Sequence, residues 1–162
     1  MAARERVFVG LGANLGDAIA SVRTALAQLG ALPGTSLVAA SALYRSAPLD
    51  AAGPDYVNAV AELQTELEPE ALLAQLQSLE QRFGRQRPYH HAPRTLDLDL
   101  LFYGDRRIDG PTLTVPHPRA HQRAFVLAPL AELAPVWRLA DGRSVTAALA
   151  ALRGQHTTRI AA

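Results

Sequence analysis

Arg94-Thr95-Leu96-Asp97-Leu98-Asp99-Leu100-Leu101-Phe102-Tyr103 alternates as a strand does, and two aspartates share one of its faces. A period of two points Leu96, Leu98, Leu100 and Phe102 one way, and Asp97, Asp99, Leu101 and Tyr103 the other. Two residues of extended chain separate the aspartate Cα atoms by roughly 6.5–7 Å. Like charges so placed need a compensating cation. Hard oxygen donors suit Mg²⁺, which takes one or two protein carboxylates and fills its shell with water and substrate phosphates. A solvated outer strand face is the plain alternative. The preceding residues 82–94 favour the metal, because they carry Arg82, Arg85, Arg87, His90, His91 and Arg94 without one acid.

Outward from that strand the chain reads as alternating strands and helices. Pro69 sits at the first turn of a helix whose stripe is Leu72, Leu76, Leu79 and Phe83, and Gly84 ends it. Before it, residues 56–67 alternate, with Val57, Ala59, Ala61 and Leu63 on one face and Tyr56, Asn58, Val60 and Glu62 on the other. Residues 36–45 read as one strand and residues 46–54 as a loop. Residues 17–29 carry Ile19, Val22, Leu26 and Leu29 at helical spacing, with Asp17 as N-cap. Residues 7–11 form the first strand. The order β-α-β-β-α-β is the ferredoxin-like pattern of an α+β protein. The last third adds helices around residues 125–133 and 145–152, which would cover the other sheet face as an α/β/α sandwich. With no linker and no repeat, residues 1–162 are expected to form one domain.

Composition removes several classes of function. A net charge of +1 argues against a nucleic-acid partner. No apolar run approaches a membrane span, and Arg4, Glu5 and Arg6 interrupt any signal-peptide core. Without cysteine there is no disulfide or thiolate chemistry, and a cytoplasmic protein is expected. All 16 basic residues are arginine. Lacking lysine, the chain has no Schiff-base chemistry and no Walker A loop.

Gly10-Leu11-Gly12-Ala13-Asn14-Leu15-Gly16 lies between a strand and a helix. Its spacing and surroundings are wrong for a dinucleotide site, so a turn with positive φ at glycine is expected. The arginine-rich stretch and the later His117, Arg119, His121 and Arg123 flank the aspartates as a clamp on polyphosphate would, since guanidinium forks match phosphate oxygens. Zinc spacing is absent. Tyr56 and Asn58 share a strand face, where a ring beside an amide suits a flat heterocycle.

Residues 90–101, His-His-Ala-Pro-Arg-Thr-Leu-Asp-Leu-Asp-Leu-Leu, closely resemble the defining motif of the 6-hydroxymethyl-7,8-dihydropterin pyrophosphokinase family. The resemblance extends to Gly10–Gly16, Tyr44-Arg-Ser46-Ala-Pro48-Leu49, Pro54-Asp-Tyr56-Val-Asn58, residues 80–87 and Leu113-Thr-Val-Pro-His117. It implies transfer of the β,γ-diphosphate of ATP to the hydroxymethyl group of the dihydropterin, releasing AMP, in folate biosynthesis. Asp97 and Asp99 would hold two Mg²⁺ ions, and with Arg85 and Arg94 would carry catalysis. ATP would meet Gln77, Glu80, Arg85, Arg87, Arg94, Leu100, Thr114, His117 and Arg123. The pterin would meet Ser46, Pro48, Leu49, Tyr56, Asn58, Asp97 and Phe125, with Tyr56 and Phe125 sandwiching the ring. A monomer is expected. The chain departs from the family pattern at Pro88, His91, Thr112 and Pro118, and its arginine loop is one residue shorter.

Two other readings use the same residues. A non-catalytic ferredoxin-like module binding nucleic acid or a metabolite would also carry aromatics on its central strands, although two acids there repel phosphate. A Mg²⁺-dependent phosphohydrolase would use the same aspartates. The loop of residues 85–94 is expected to order over Mg·ATP, which supplies its missing negative charge.

Asp97→Asn and Asp99→Asn are each predicted to lower turnover by several orders of magnitude while the metal-free protein keeps or gains stability, because a repulsion is relieved. Turnover against Mg²⁺ concentration, paired with thermal unfolding, checks both halves. Unaltered turnover at low Mg²⁺ in either variant would remove the metal role.

Overall fold

A computed structural model describes residues 4–14, 17–47, 55–84 and 96–160. The chain is α+β, with a mixed set of helices around an antiparallel sheet. Strand β1 (Glu5–Ala13) is followed by helix α1 (Ala18–Leu29). Next come β2 (Thr35–Ala40), β3 (Tyr44–Ser46) and β4 (Tyr56–Thr65). Helix α2 (Pro69–Gly84) then leads into β5 (Asp97–Tyr103). A small ladder of β6 (Ile108–Asp109) and β7 (Thr114–Val115) precedes a 3-10 turn at Ala120–Gln122 and helix α3 (Ala124–Leu133). Helix α4 (Val145–Ala151) and β8 (Thr157–Arg159) end the order.

The main sheet runs β5-β1-β4-β3-β8, with β2 also on β4. Every pairing in it is antiparallel. On one face Val7, Val9 and Leu11 of β1 meet Val57, Ala59, Ala61 and Leu63 of β4 beneath Val22, Leu26 and Leu29 of α1 and Leu72, Leu76 and Leu79 of α2. These are the stripes that helical spacing predicts. Asp17 caps α1 by accepting the Ala20 N–H at 3.1 Å, which satisfies one of the otherwise unpaired first-turn donors. On the other face Phe8, Val60, Leu101 and Phe102 pack under Val126, Leu127 and Leu130 of α3 and Val145 and Ala148 of α4. Trp137 seals this second core edge-on to Phe8, with ring centroids 5.0 Å apart. Among the described residues no helix is long and apolar enough to cross a membrane.

Three expectations change. The strict alternation of β5 fails after Leu101: Val9 pairs with Leu100 and Phe8 with Phe102, so Leu101 is an extra residue. This β-bulge turns Phe102 to the α3 face and Tyr103 to the α1–α2 face, the reverse of a simple period of two. The strand expected over residues 36–45 is two strands. Ser41 interrupts it by accepting the Val60 N–H on its hydroxyl at 2.9 Å and donating to the Ala42 carbonyl at 2.7 Å, a side chain standing in for the ladder. Gly10 and Gly12 lie inside β1 rather than in a turn. Positive φ among the described glycines falls instead at Gly34, Gly104, Gly142 and Gly154, and Gly16 lies outside the described residues.

Candidate active site

The register of three strands lays polar groups in a row where the α3-side face runs out of apolar cover. Gly12 of β1 pairs with Asp97 of β5 on one side and Asn58 of β4 on the other, and Gly10 likewise pairs with Asp99 and Val60. The two glycines contribute no side chain, so the floor between the aspartates and Asn58 is bare backbone. A Cβ on Gly12 would stand 3.0 Å from the Asn58 Nδ2. A cavity of about 310 Å³ opens over this floor, lined by Gly10, Gly12, Ser46, Ala47, Tyr56, Asn58, Asp97, Asp99, Arg123, Phe125 and Val126 among others. That volume is at the small end of the range for ligand sites.

Each wall has a local cause. Buried Asn58 accepts the Ser46 hydroxyl on its Oδ1 at 2.8 Å. That bond turns the amide so that Nδ2 is left as a donor beside Gly12. Tyr56 pairs with Ser46 across β4 and β3, and both line the cavity. Opposite them, α3 brings Phe125 and Arg123, with the guanidinium 5.5 Å from the ring centroid. At the far end of α3 Glu132 is held by the Tyr44 hydroxyl and by the Ala42 N–H at 3.2 Å. Burial pushes the Tyr44 hydroxyl up to about 12, with the Glu132 carboxylate acting in the same direction. It therefore remains a donor at neutral pH.

Asp97 and Asp99 are partly exposed on the cavity side of β5, as the opening stretch implies. The backbone between them is pinned from the other side, where Glu80 of α2 accepts the Leu98 N–H at 2.8 Å. Because β5 is an edge strand, this carboxylate satisfies a donor that no neighbouring strand meets. Among the described residues no cluster of three or more His, Asp or Glu could hold a metal by itself. Two carboxylates on an open wall are the donor set that Mg²⁺ shares with phosphates, so the residues present fit that ion.

The structure gathers Ser46, Tyr56, Asn58, Asp97, Asp99, Arg123 and Phe125 around one cavity. Gln77 is exposed on α2 and Thr114 is exposed on β7. The Leu100 side chain is buried in the α1–α2 core rather than on the cavity wall. Pro48, Leu49, Arg85, Arg87 and Arg94 lie outside the described residues, as does the arginine loop with its expected ordering. Spacing alone does not single out Ala47, Val60 or the two floor glycines. The pairing of β1 with both neighbours reveals the glycines and Val60, and the pairing of β3 with β4 brings up Ala47.

His117 is half-buried beside this cavity, and its Nδ1 accepts the Arg119 N–H at 3.2 Å. The proton of the neutral ring is therefore assigned to Nε2. Burial lowers its pKa below 6.5, Asp99 opposes that, and Arg123 and Arg119 add to it. A depressed histidine takes up its proton in the unfolded chain first, so acidification below about pH 6.5 costs native stability until the folded pKa is passed. NMR titration of the metal-free protein is predicted to place the His117 midpoint below 6.5, and His117→Gln should flatten the loss of stability through that window. A midpoint above 6.5 would mean that Asp99 outweighs burial and the arginines.

Comparison with known proteins places the chain in a family. Residues 8–135 match the family model for 7,8-dihydro-6-hydroxymethylpterin-pyrophosphokinase (HPPK). A 2-amino-4-hydroxy-6-hydroxymethyldihydropteridine pyrophosphokinase from Pseudomonas aeruginosa is 49% identical over 148 residues, covering 91% of each chain. One from Haemophilus influenzae is 42% identical over 140 residues, covering 86% of this chain and 88% of the relative. Among solved structures, an HPPK-DHPS in complex with substrates superposes with a TM-score of 0.74 at 10% identity, over 91% of this chain and 43% of that one. The Plasmodium falciparum HPPK-DHPS A437G variant gives 0.74 at 13% identity, over 93% and 46%. This chain spans less than half the length of those solved chains, and at such identity they speak for the fold alone. The family match and the close relatives together establish that the chain belongs to the 7,8-dihydro-6-hydroxymethylpterin-pyrophosphokinase family.

Proposed function

We propose that this protein transfers the β,γ-diphosphate of ATP to the hydroxymethyl group of 6-hydroxymethyl-7,8-dihydropterin in folate biosynthesis. The pterin oxygen bonds to the β-phosphorus and loses its proton. The bond from that phosphorus to the α–β bridging oxygen breaks, and AMP leaves with the oxygen. One observation carries the reading: a pair of metal-fitting carboxylates and an aromatic–amide pocket for a flat ring occupy the same cavity. A phosphohydrolase needs the first and has no use for the second. A nucleic-acid module would not place two acids where phosphate must pass.

The roles follow from the walls. Tyr56 and Phe125 would stack on the two faces of the pterin, while the Asn58 Nδ2 donates to its edge and Ser46 holds that amide in place. Asp97 and Asp99 would hold two Mg²⁺ ions, whose chemistry when bound is to neutralise phosphate charge and acidify the substrate hydroxyl. Arg123 and His117 would face the phosphates, the first as a fixed cation and the second as a neutral Nε2–H donor. Arg85, Arg87 and Arg94 would join them, with Gln77, Glu80, Leu100 and Thr114 nearer the nucleoside and Pro48 and Leu49 nearer the pterin. The same reading takes the core as ferredoxin-like within an α/β/α sandwich. It takes the working unit as one monomeric domain over residues 1–162 in the cytoplasm, with no nucleic-acid or membrane partner.

An assay with ATP, Mg²⁺ and the reduced hydroxymethylpterin should release AMP in step with pterin diphosphate, and release none without the pterin. AMP formed without acceptor would favour the phosphohydrolase. Tyr56→Ala or Phe125→Ala should weaken pterin binding, since each stacked ring contributes about 0.5–1.5 kcal/mol beyond area burial. Binding of a non-hydrolysable ATP analogue should stay nearly intact in both variants. Equal loss of the two ligands in a folded variant would contradict the pterin assignment.

A further inference from the structure

The family match ends at residue 135, yet the chain beyond it returns to the elements that carry the cavity walls. We infer that residues 155–160 form a strap that sets the gap between the two aromatic walls, with Gln155 as its positioning residue. This inference rests on the pterin reading above.

The first turn of α3 supplies one wall through Arg123 and Phe125. That helix begins without a side-chain cap of its own, because its N-cap is Arg123, which makes no such bond. Its leading N–H groups therefore need acceptors from elsewhere. Gln155 supplies one: its Oε1 accepts the Ala124 N–H at 2.9 Å, and its Nε2 donates to the Gln122 carbonyl at 2.9 Å. Both ends of one amide thus grip the turn that carries Arg123, and the gripped Ala124 lies directly between Arg123 and Phe125.

The residues after Gln155 hold the opposite wall. In β8 Thr157 pairs with Ser46 and Arg159 with Tyr44, and the Ile160 N–H donates to the Leu43 carbonyl at 2.8 Å. Ser46 in turn pairs with Tyr56 and holds Asn58. One short segment is therefore bonded to the strand that supports Tyr56 and to the helix start that supports Phe125. Because Glu132 anchors the other end of α3 separately, Gln155 governs the cavity end. The same turn carries Arg123, but the aromatic gap depends on both ends of the strap, so the pterin site feels its loss more than the nucleotide site does.

The test compares unaltered protein, Gln155→Ala and Gln155→Glu in three measurements: pterin affinity, affinity for a Mg·ATP analogue, and amide exchange residue by residue. Gln155→Ala should weaken pterin binding about 3- to 10-fold, as expected for one or two lost neutral hydrogen bonds felt at the clamp. Exchange at Ala124 should quicken while β1 and β4 keep their protection, and analogue binding, which reaches this turn only through Arg123, should fall less than pterin binding. Gln155→Glu keeps an acceptor at a helix N-terminus, where negative charge is favoured, and should recover part of the pterin affinity. Unaltered pterin affinity with fast Ala124 exchange would overturn the strap. So would a parallel fall in both ligands with protection lost throughout the chain, which would reduce Gln155 to a contributor to stability. If the unaltered protein bound no pterin, the functional reading itself would fall and the strap's role with it.

Discussion

Everything at the site depends on β1 having no side chain where it passes between β5 and β4. Backbone pairing fixes the neighbours across a sheet about 4.7–4.9 Å apart per strand, so Asp97 and Asn58 are held two strand spacings apart with Gly12 between them. A larger residue there would occupy the floor and push against an amide already fixed by Ser46. The glycines weaken the strand intrinsically, because they bury no side chain and lose more backbone entropy on folding. The dense apolar packing on the other face of β1, through Val7, Val9 and Leu11, offsets that weakness. The strand is thus a core element on one side and, past Phe8, a bare ledge on the other.

That division explains which parts of the molecule the sequence discloses. Stripes such as Leu72, Leu76 and Leu79 are local, set by helical periodicity and burial, and they appear where the pattern puts them. The shared face of Asp97 and Asp99 is equally local, because it needs only an extended backbone. What lies beyond such reading depends on partners distant in sequence. The bulge at Leu101 exists only relative to β1, and nothing in Leu100-Leu101-Phe102 marks which residue is extra. Ser41 breaks a strand because Val60 is opposite to bond it. Glycines that suggest a turn become a floor once both neighbours of β1 are known. The tail that holds Gln155 against α3 and β8 against β3 is short and polar, so it carries no periodic signal at all.

Charge is arranged around the cavity with the same economy. The acids stand on a sheet edge, backed by a third carboxylate that accepts the Leu98 backbone N–H between them. Arg123 comes from the turn that leads into α3, and His117 from a segment bonded to β5 itself, its N–H donating to the Leu101 carbonyl at 2.9 Å. Partial burial keeps the histidine neutral, so it adds a directed donor without adding repulsion between like charges. Among the described cavity residues the two acids outnumber the one arginine, an excess that a bound cation would offset.

The most direct measurement of this account is the pterin affinity of Gly12→Ala beside that of the unaltered protein, with Mg·ATP-analogue binding and thermal unfolding taken on the same samples. The account predicts a folded variant that retains nucleotide binding and loses about tenfold or more in pterin affinity, as an amide forced off its ligand should. Unaltered pterin affinity in a folded Gly12→Ala protein would contradict it, because the bare ledge would then have no part in recognising the ring.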